Sequence, residues 1–198
     1  ICEEAKNAVA FLNLEGHEEY FKGKVCVERK GIAGYLFRIT GVSTHASYCA
    51  REGASAIAEA AHKIIELEKL KDDAGLTCNC GVISGGSVPN TVPGHCEFKA
   101  NVRFANSEQL AWVREHVKAV AASVHVPGCK CTVNDPAGRV AMEHSEKNVA
   151  LLARMNEIFE ENDIPALEAA GRKGASDAAD VTHAGAACID SLGVRGGK

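Results

Sequence analysis

Residues 76–104 read LTCNCGVISGGSVPNTVPGHCEFKANVRF, and this stretch decides the fold of the chain. Apolar residues alternate with polar ones in two runs, which are Leu76, Cys78, Cys80 and Val82, and then Cys96, Phe98, Ala100 and Val102. A period of two is typical of half-buried antiparallel strands, so the sequence predicts two of them. The loop between them, residues 85–93, is too long for a two-residue hairpin turn. Because loops on rigid strands often carry functional residues, we expect function in this loop.

The bulk composition excludes two classes of partner. The net charge is −4, and acidic and basic residues are interspersed without the basic stripe that a nucleic-acid phosphate backbone requires. The apolar runs are shorter than the roughly 18 residues of a membrane-spanning helix. We therefore expect neither a nucleic-acid partner nor a membrane anchor.

The nine cysteines predict free thiols. No C-x-x-C motif occurs, and the pairs Cys78-x-Cys80 and Cys129-x-Cys131 each lie on one face of a predicted strand, where apolar side chains are needed. Buried free thiols are thus favoured over a metal cluster. Free thiols in this number indicate a reducing compartment, so we expect the protein to be cytoplasmic.

Residues 31–137 predict one domain built around the hairpin. A strand opens at Gly31, a helix spans residues 52–70, and a second helix starting near Asn106 leads to a last strand at residues 129–133. The order β-α-β-β-α-β predicts a four-stranded antiparallel sheet with both helices on one face. On the first helix, the residues expected to face the core are Ile57, Ala60, Ala61, Ile64 and Leu67, and those expected outside include Glu59 and Lys63.

The remaining residues, 1–30 and 138–198, predict part of a second, α/β domain into which the first is inserted. We expect a buried strand at residues 8–14, a helix capped by Ser145, and a strand at residues 186–189. A polar patch is formed by Lys22, Lys24, Glu28, Arg29 and Lys30. Glu15 follows the first strand, at the edge of a sheet where ligands collect. The alternative for Glu15 is an ordinary surface loop.

Several motifs together resemble the M20 metallopeptidases. Gly41-x-x-x-His45-Ala46, Gly85-Gly86-x-x-x-Asn90-x-Val92-Pro93 and Asn101-Val102-Arg103 resemble the dimerization or lid domain of that family. The tail, with Lys173-Gly174-Ala175-Ser176-Asp177 and Asp190-x-Leu192-Gly193-x-x-Gly196, is similar to the return segment of its catalytic domain. The combination is most similar to the glutamate carboxypeptidase-like branch.

The resemblance implies a zinc-dependent hydrolase with two metal ions. Such an enzyme cleaves an amide bond next to a free carboxylate in a peptide or N-acyl amino acid, and its lid domains pair in a homodimer. The resemblance makes Glu15 a zinc ligand and His45 a catalytic residue that reaches into the partner subunit to stabilise the oxyanion. It makes Asn90, Arg103, Gly174, Ala175 and Ser176 contacts of the substrate.

Other members of the family carry metal ligands and a catalytic base that have no counterpart in this sequence. In those proteins an H-x-D motif and a Glu-Glu pair come before the position of Ile1, and a final histidine comes after that of Gly196. We therefore expect this polypeptide alone to be inactive, since a zinc site needs three or four ligands.

Two positions depart from the family pattern, and one further function stays open. Asn101 replaces a common aspartate and Ser47 replaces a common glycine. The fold prediction is unchanged, but the family pattern then does not specify which acyl-amino acid or peptide is cleaved. The alternative is a non-catalytic, ferredoxin-like module for a small ligand or for dimerization, because fold alone does not establish catalysis. In that case Arg103 and Asn90 bind an effector, and Glu15 is a surface acid.

Overall fold

The computed structural model describes residues 2–16, 23–49, 51–134 and 136–193. The elements in chain order are α1 (Cys2–Ala5), β1 (Phe11–Leu12), β2 (Lys24–Arg29), β3 (Gly31–Thr40), a 3₁₀ turn (Ala46–Tyr48), α2 (Ala56–Leu67), β4 (Thr77–Gly85), β5 (His95–Phe104), α3 (Ser107–Ala122), β6 (Lys130–Val133), β7 (Ala137–Arg139), α4 (Glu146–Glu161), β8 (Glu168–Arg172), α5 (Ala178–His183) and β9 (Cys188–Ile189). The chain forms two units. Unit 1 consists of Ile1–Ile32, Phe104–Ser107 and Arg139–Lys198, and unit 2 of Ala33–Arg103 and Glu108–Gly138.

The predicted hairpin is β4 paired antiparallel with β5. The alternation in β5 is confirmed, because Cys96, Phe98, Ala100 and Val102 are all buried. In β4 the prediction holds for Cys78 and is wrong for Val82, which is 55% exposed. The register shifts by one residue between Asn79 and Val82, and such a bulge ends the strict alternation of faces.

The sheet of unit 2 has the strand order β4-β5-β3-β6. The predicted fold class, a mixed α/β structure with a mostly antiparallel sheet, is confirmed. The ammonium group of Lys63 in α2 bonds to the carbonyl oxygen of Val120 in α3 at 2.8 Å, so the two helices lie side by side. The four-stranded prediction missed one short strand, since β7 also pairs with β3.

The predicted inner face of α2 is wrong by about one residue. The buried residues of the helix are Ala56, Glu59, Ala60, Lys63 and Leu67, which follow one stripe at helical spacing. Ile57 and Ala61 are exposed instead. The helix turns this way because Glu59 and Lys63 bond to backbone groups at the end of α3, which a hydrophobic pattern does not reveal.

Unit 1 contains two short parallel pairs, β2 with β8 and β1 with β9. The prediction missed a strand at the polar patch, because β2 lies there and buries Val25, Cys26, Val27 and also Arg29, while Lys24 and Glu28 are exposed. Lys22 lies outside the described residues. The strand predicted at residues 8–14 shrinks to β1, and Val9 is exposed. A parallel strand covered on both faces need not alternate, which explains the missed β2.

Helix α4 holds unit 1 together through a buried asparagine. The Ser145 side chain accepts the Asn148 N–H, as the predicted cap requires. The Asn148 amide donates to the Val27 carbonyl oxygen at 3.1 Å and accepts from the Cys188 N–H at 2.9 Å, which ties α4 to β2 and β9. Val25, Val27, Leu152 and Ile189 form the adjoining core cluster. Among the described residues, no helix combines the length and apolarity that crossing a membrane requires.

Candidate functional site

His45 and Asn90, two of the predicted site residues, lie next to each other in unit 2. The Ala46 N–H donates to the Asn90 carbonyl oxygen at 2.9 Å, and the Val92 N–H donates to the Thr44 carbonyl oxygen at 2.8 Å. These two bonds pin the backbone on both sides of His45, which forms a bridge with Thr91. Both His45 and Asn90 are exposed and therefore accessible to a ligand.

The loop that carries His45 depends on Gly41, where the backbone passes close to Ala54. Val42 and Ala54 exchange backbone hydrogen bonds, and a Cβ at position 41 would overlap the Ala54 carbonyl oxygen. Gly41 is thus required for this approach. Beyond it, His45 caps the 3₁₀ turn, with its Nδ1 accepting from the Ser47 N–H.

A cleft of about 410 Å³, lined by both polar and apolar groups, lies beside the same loop. Its lining includes Ser84, Gly86, Thr91 and His95, from the end of β4, the loop and the start of β5. Because Thr91 forms the bridge with His45, the cleft adjoins the His45–Asn90 pair. The arrangement offers hydroxyl and imidazole groups to a small polar ligand.

Arg103 lies at the far end of β5 from this loop. It faces Thr77 across the hairpin, whereas Cys96, near the loop, faces Gly85. From the rise of a β-strand, Arg103 is roughly 25 Å from His95. Within unit 2 the structure therefore does not bring Arg103 to the cleft beside the loop of Asn90, although both residues were expected to contact the substrate.

A buried polar network lies in unit 1 around Ser176, which was predicted to contact the substrate. Its hydroxyl donates to Asp190 Oδ2 at 2.8 Å and accepts from the Asn13 amide at 3.2 Å. Asp190 is fully buried and pairs with Arg29, with 2.5 Å between Nε and Oδ2. Arg29 also donates to the Ser191 hydroxyl at 3.1 Å. The Ser176 side chain is thus used inside the unit, and only its backbone could meet a substrate.

The loop before α5 is also held by Arg29. The Arg29 guanidinium donates to the carbonyl oxygens of Gly174 and Ala175 at 3.1 and 3.4 Å. The Ala178 N–H is bound by the Ser176 hydroxyl at 3.1 Å. Asp177 stands at the N-terminus of α5 but makes no capping bond with its side chain, because its carboxylate pairs with Arg139.

Sequence reasoning does not single out Arg29, Asp190 and Asn13 as candidates. Arg29 lies in the stretch that the sequence predicts as a polar patch, and its partner is far away along the chain. Asp190 stands in the tail motif, and its position there is the one available indication. Charged residues are rarely buried unless paired, and only the fold shows this pair.

Glu15 is exposed at the point where the tail returns to β1. The Gly193 N–H donates to the Glu15 carbonyl oxygen at 3.1 Å, and a Cβ at position 193 would overlap the carbonyl oxygens of Leu14 and Glu15. Gly196 of the tail motif lies outside the described residues. Within the described part of the chain, no three His, Cys, Asp or Glu side chains gather as a metal site would need.

Buried thiols flank the network in unit 1. Burial raises the pKa of the Cys188 thiol to about 12, and the nearby Asp190 carboxylate adds to this. Burial also raises the pKa of Cys26, against the opposing effect of Arg29. These thiols are therefore poor nucleophiles, in agreement with the prediction that buried cysteines act as small apolar residues.

Comparison with known proteins decides the family. Residues 27–129, just over half of the chain, match the M20 model described as the peptidase dimerisation domain. This chain belongs to the M20 peptidase family. The predicted recognition is thus confirmed, and unit 2 carries most of the dimerisation domain of an M20 member. Peptidases of this family are generally metal-dependent.

Relatives of this M20 member agree with that assignment. The chain is 28% identical over 203 residues to carboxypeptidase G2 from Pseudomonas sp. (strain RS-16), covering 99% of this chain and 47% of the relative. An aminopeptidase from Bacillus cereus has the same fold, with a TM-score of 0.72 and 22% identity over 96% of this chain and 50% of that one. An aminobenzoyl-glutamate utilization protein from Klebsiella pneumoniae gives a TM-score of 0.67 at 19% identity, over 97% and 52%. The chain spans about half the length of each.

Proposed function

We propose that this chain is part of a hydrolase that cleaves an amide bond next to a free carboxylate, in a peptide or an N-acyl amino acid. The observation that carries the proposal is the exposed His45–Asn90 pair, held together by backbone bonds in a peptidase dimerisation domain. The similarity to carboxypeptidase G2 supports the carboxypeptidase-like class.

His45 and Asn90 have the chemistry that such a reaction needs from the lid. An imidazole N–H placed on the developing oxyanion stabilises the transition state, and an asparagine side chain can both donate to and accept from a substrate. Arg103 is a candidate for a substrate carboxylate because its guanidinium forms a bidentate fork. Given its place on β5, it would act at a different point from Asn90.

The loop of Gly174, Ala175 and Ser176 is our candidate for a substrate contact in unit 1. Its carbonyl oxygens and its serine hydroxyl are bound by Arg29 and Asp190, so substrate would meet the remaining backbone groups. The buried network would then hold the loop rigid, as precise substrate contacts require. In this proposal residues 1–30 and 138–198 belong to the catalytic domain and residues 31–137 to the lid.

Zinc is the metal that we propose for the full-length enzyme, which would hold two ions, as the resemblance to the M20 metallopeptidases implies. The described residues do not fit a metal site by themselves, because no three of their His, Cys, Asp or Glu side chains, Glu15 included, lie together. We propose Glu15 as one ligand only and expect the 198-residue chain to be inactive. A zinc-dependent amide hydrolysis by this chain alone would contradict that expectation.

The homodimer that we propose forms through unit 2. Strand β4 lies at the end of the sheet order, and Val82 and Ile83 on it are 55% and 51% exposed. Ile57 and Ile65 are also exposed on α2, which contacts β4. An edge strand with exposed apolar side chains must be covered, and pairing with a second copy does so. The nine free thiols support a cytoplasmic location.

A ligand-binding module without catalysis is the second candidate, favoured by the cleft beside Thr91 and His95. In that case a small polar ligand would bind to unit 2, and removal of His45 would weaken binding without any activity to lose. The genomic sequence before Ile1 separates the two candidates. An H-x-D motif and a Glu-Glu pair there support the peptidase.

The His45→Ala variant of the full-length protein tests the proposed function. We expect kcat to fall by about 100- to 1,000-fold, the usual cost of losing one oxyanion donor, while the zinc content stays unchanged by metal analysis. His62→Ala is the matched control, because His62 is an exposed histidine of unit 2 that stacks on His125. An unchanged kcat in His45→Ala would remove His45 from the mechanism.

A further inference from the structure

The imidazole of His45 is bound on one nitrogen by the residue two positions later. The Ser47 N–H lies 3.3 Å from Nδ1 of His45, and the Ser47 hydroxyl lies 2.8 Å from the same atom. A backbone N–H can only donate, so Nδ1 must be the acceptor of the ring. In the neutral imidazole the proton then resides on Nε2.

The rest of the loop keeps this geometry in place. Thr44 and Ala46 form backbone hydrogen bonds with Val92 and Asn90 of the facing loop. The Tyr48 N–H donates to the His45 carbonyl oxygen at 2.9 Å. The Tyr48 ring meets the imidazole edge-on, with 6.5 Å between the ring centres. With the backbone fixed and Nδ1 occupied, the ring has one free hydrogen-bonding position, the Nε2–H, on an exposed side chain.

We infer that Ser47 is a positioning residue, whose backbone N–H and hydroxyl together hold His45 in the tautomer that presents Nε2–H to the substrate oxyanion. The inference rests on the proposed function of His45 for its catalytic consequence, but not for the tautomer itself. The backbone N–H fixes Nδ1 as the acceptor, and the hydroxyl, at 2.8 Å against 3.3 Å for the N–H, then adds a second and shorter hydrogen bond to the same atom. A glycine, which the family commonly has at this position, would keep the N–H and lose the hydroxyl.

Imidazole ¹⁵N NMR spectra of the 198-residue chain test the tautomer directly. We expect His45 in the wild type to show an unprotonated Nδ1 and a protonated Nε2 at about pH 9, where free imidazole is neutral. In Ser47→Ala the backbone N–H still binds Nδ1, so the two ¹⁵N shifts should move partway toward each other as the tautomer with a protonated Nδ1 gains population. Ser47→Thr keeps a hydroxyl and should restore the wild-type shifts.

A control variant removes a hydroxyl beside a different imidazole. Ser123→Ala takes away the hydroxyl that lies 3.5 Å from Nε2 of His125, and it should leave the His45 shifts unchanged. A merely structural effect of losing a serine would not produce this selectivity. Identical His45 shifts in wild type and Ser47→Ala would overturn the inference.

Kinetics of the full-length enzyme test the catalytic consequence. Ser47→Ala should lower kcat by about 3- to 10-fold, the worth of one neutral hydrogen bond, with KM unchanged, and Ser47→Thr should recover it. If His45→Ala lowers kcat but Ser47→Ala changes neither kcat nor the shifts, only the role of Ser47 fails. If His45→Ala has no effect, the proposed function fails, whatever the tautomer.

Discussion

Lys63 and Glu59 form a fully buried ion pair on α2, with 2.9 Å between Nζ and Oε1. The Lys63 ammonium group also binds the carbonyl oxygens of Val120 and Ser123 at 2.8 and 2.6 Å, at the end of α3. The second Glu59 oxygen accepts the N–H groups of His125 and Val126. This pair of side chains thus supplies hydrogen-bond partners both to carbonyl oxygens at the end of α3 and to N–H groups of the turn that follows it.

Lys63→Met should destabilise unit 2 strongly. The methionine keeps the apolar stem but leaves Glu59 charged and buried, which costs roughly 3 kcal/mol in comparable cases. Urea unfolding monitored by the fluorescence of Trp112, the single tryptophan, reports on α3 in unit 2. Lys69→Met is the control, since Lys69 forms an exposed pair with Glu66, and its urea midpoint should equal that of wild type.

The double variant Lys63→Met with Glu59→Leu gives the decisive comparison. Removing both charges leaves no unpaired ion, so it should be more stable than Lys63→Met alone. A double variant that is less stable than the single one would show that the backbone bonds of Glu59, and not its charge, account for the effect.

The stability of unit 2 should fall in acid because of Glu59. Burial raises the pKa of its carboxyl, but bonds from Lys63, Val126 and His125 outweigh this and lower it below the ordinary 4.5. A lowered pKa means that the contribution is present above 4.5 and is lost as the pH falls through the folded-state value. At neutral pH, Glu59→Gln should unfold at a lower urea concentration than wild type, as followed by Trp112 fluorescence. As the pH is lowered from neutral through this range, the urea midpoint of the variant should change less than that of wild type. Parallel curves would exclude Glu59 as the titrating group.

Asp190→Asn should loosen unit 1 without affecting unit 2. The asparagine keeps the shape but removes the charge that balances Arg29, which is buried and held by the same network. Hydrogen exchange of β2 and β9 should become faster, while β5 stays protected. Glu97→Gln, which breaks the exposed pair with Arg38, is the control and should change neither. Equal protection of β2 in Asp190→Asn and wild type would contradict the expectation.

Ile83→Asp should weaken the proposed homodimer. A charge on the exposed edge strand β4 would be buried without a partner on pairing, and this disfavours association. Sedimentation velocity at a series of concentrations should show a shift toward monomer. Val124→Asp, at another exposed apolar site that follows α3, should leave association unchanged. A dimer unaffected by Ile83→Asp would place the interface elsewhere.

The thiols should separate into two classes on titration with a thiol reagent. Cys2 and Cys49 are exposed and should react first in the native protein. Cys188 and Cys26 should react only after unfolding, because they are buried and burial raises their pKa values. Rapid native labelling of Cys188, measured by peptide mass spectrometry, would contradict the buried geometry.

The sequence by itself predicted the elements whose pattern is local. The alternation in β5, the Ser145 cap and the β-α-β-β-α-β order all follow from neighbours along the chain, and the structure has them. The motifs around His45 and Asn90 are themselves sufficient to indicate the M20 family. Their closeness could be expected from that resemblance, but not from spacing.

Only the tertiary structure decided which groups meet across the chain. It turned α2 so that Glu59 and Lys63 face inward, and it made β2 a buried strand whose Arg29 pairs with Asp190. It placed Arg103 at the opposite end of β5 from the loop of Asn90. The physical reason is that hydrophobic patterns record burial of apolar groups, whereas a buried charge is stable only through partners distant in sequence.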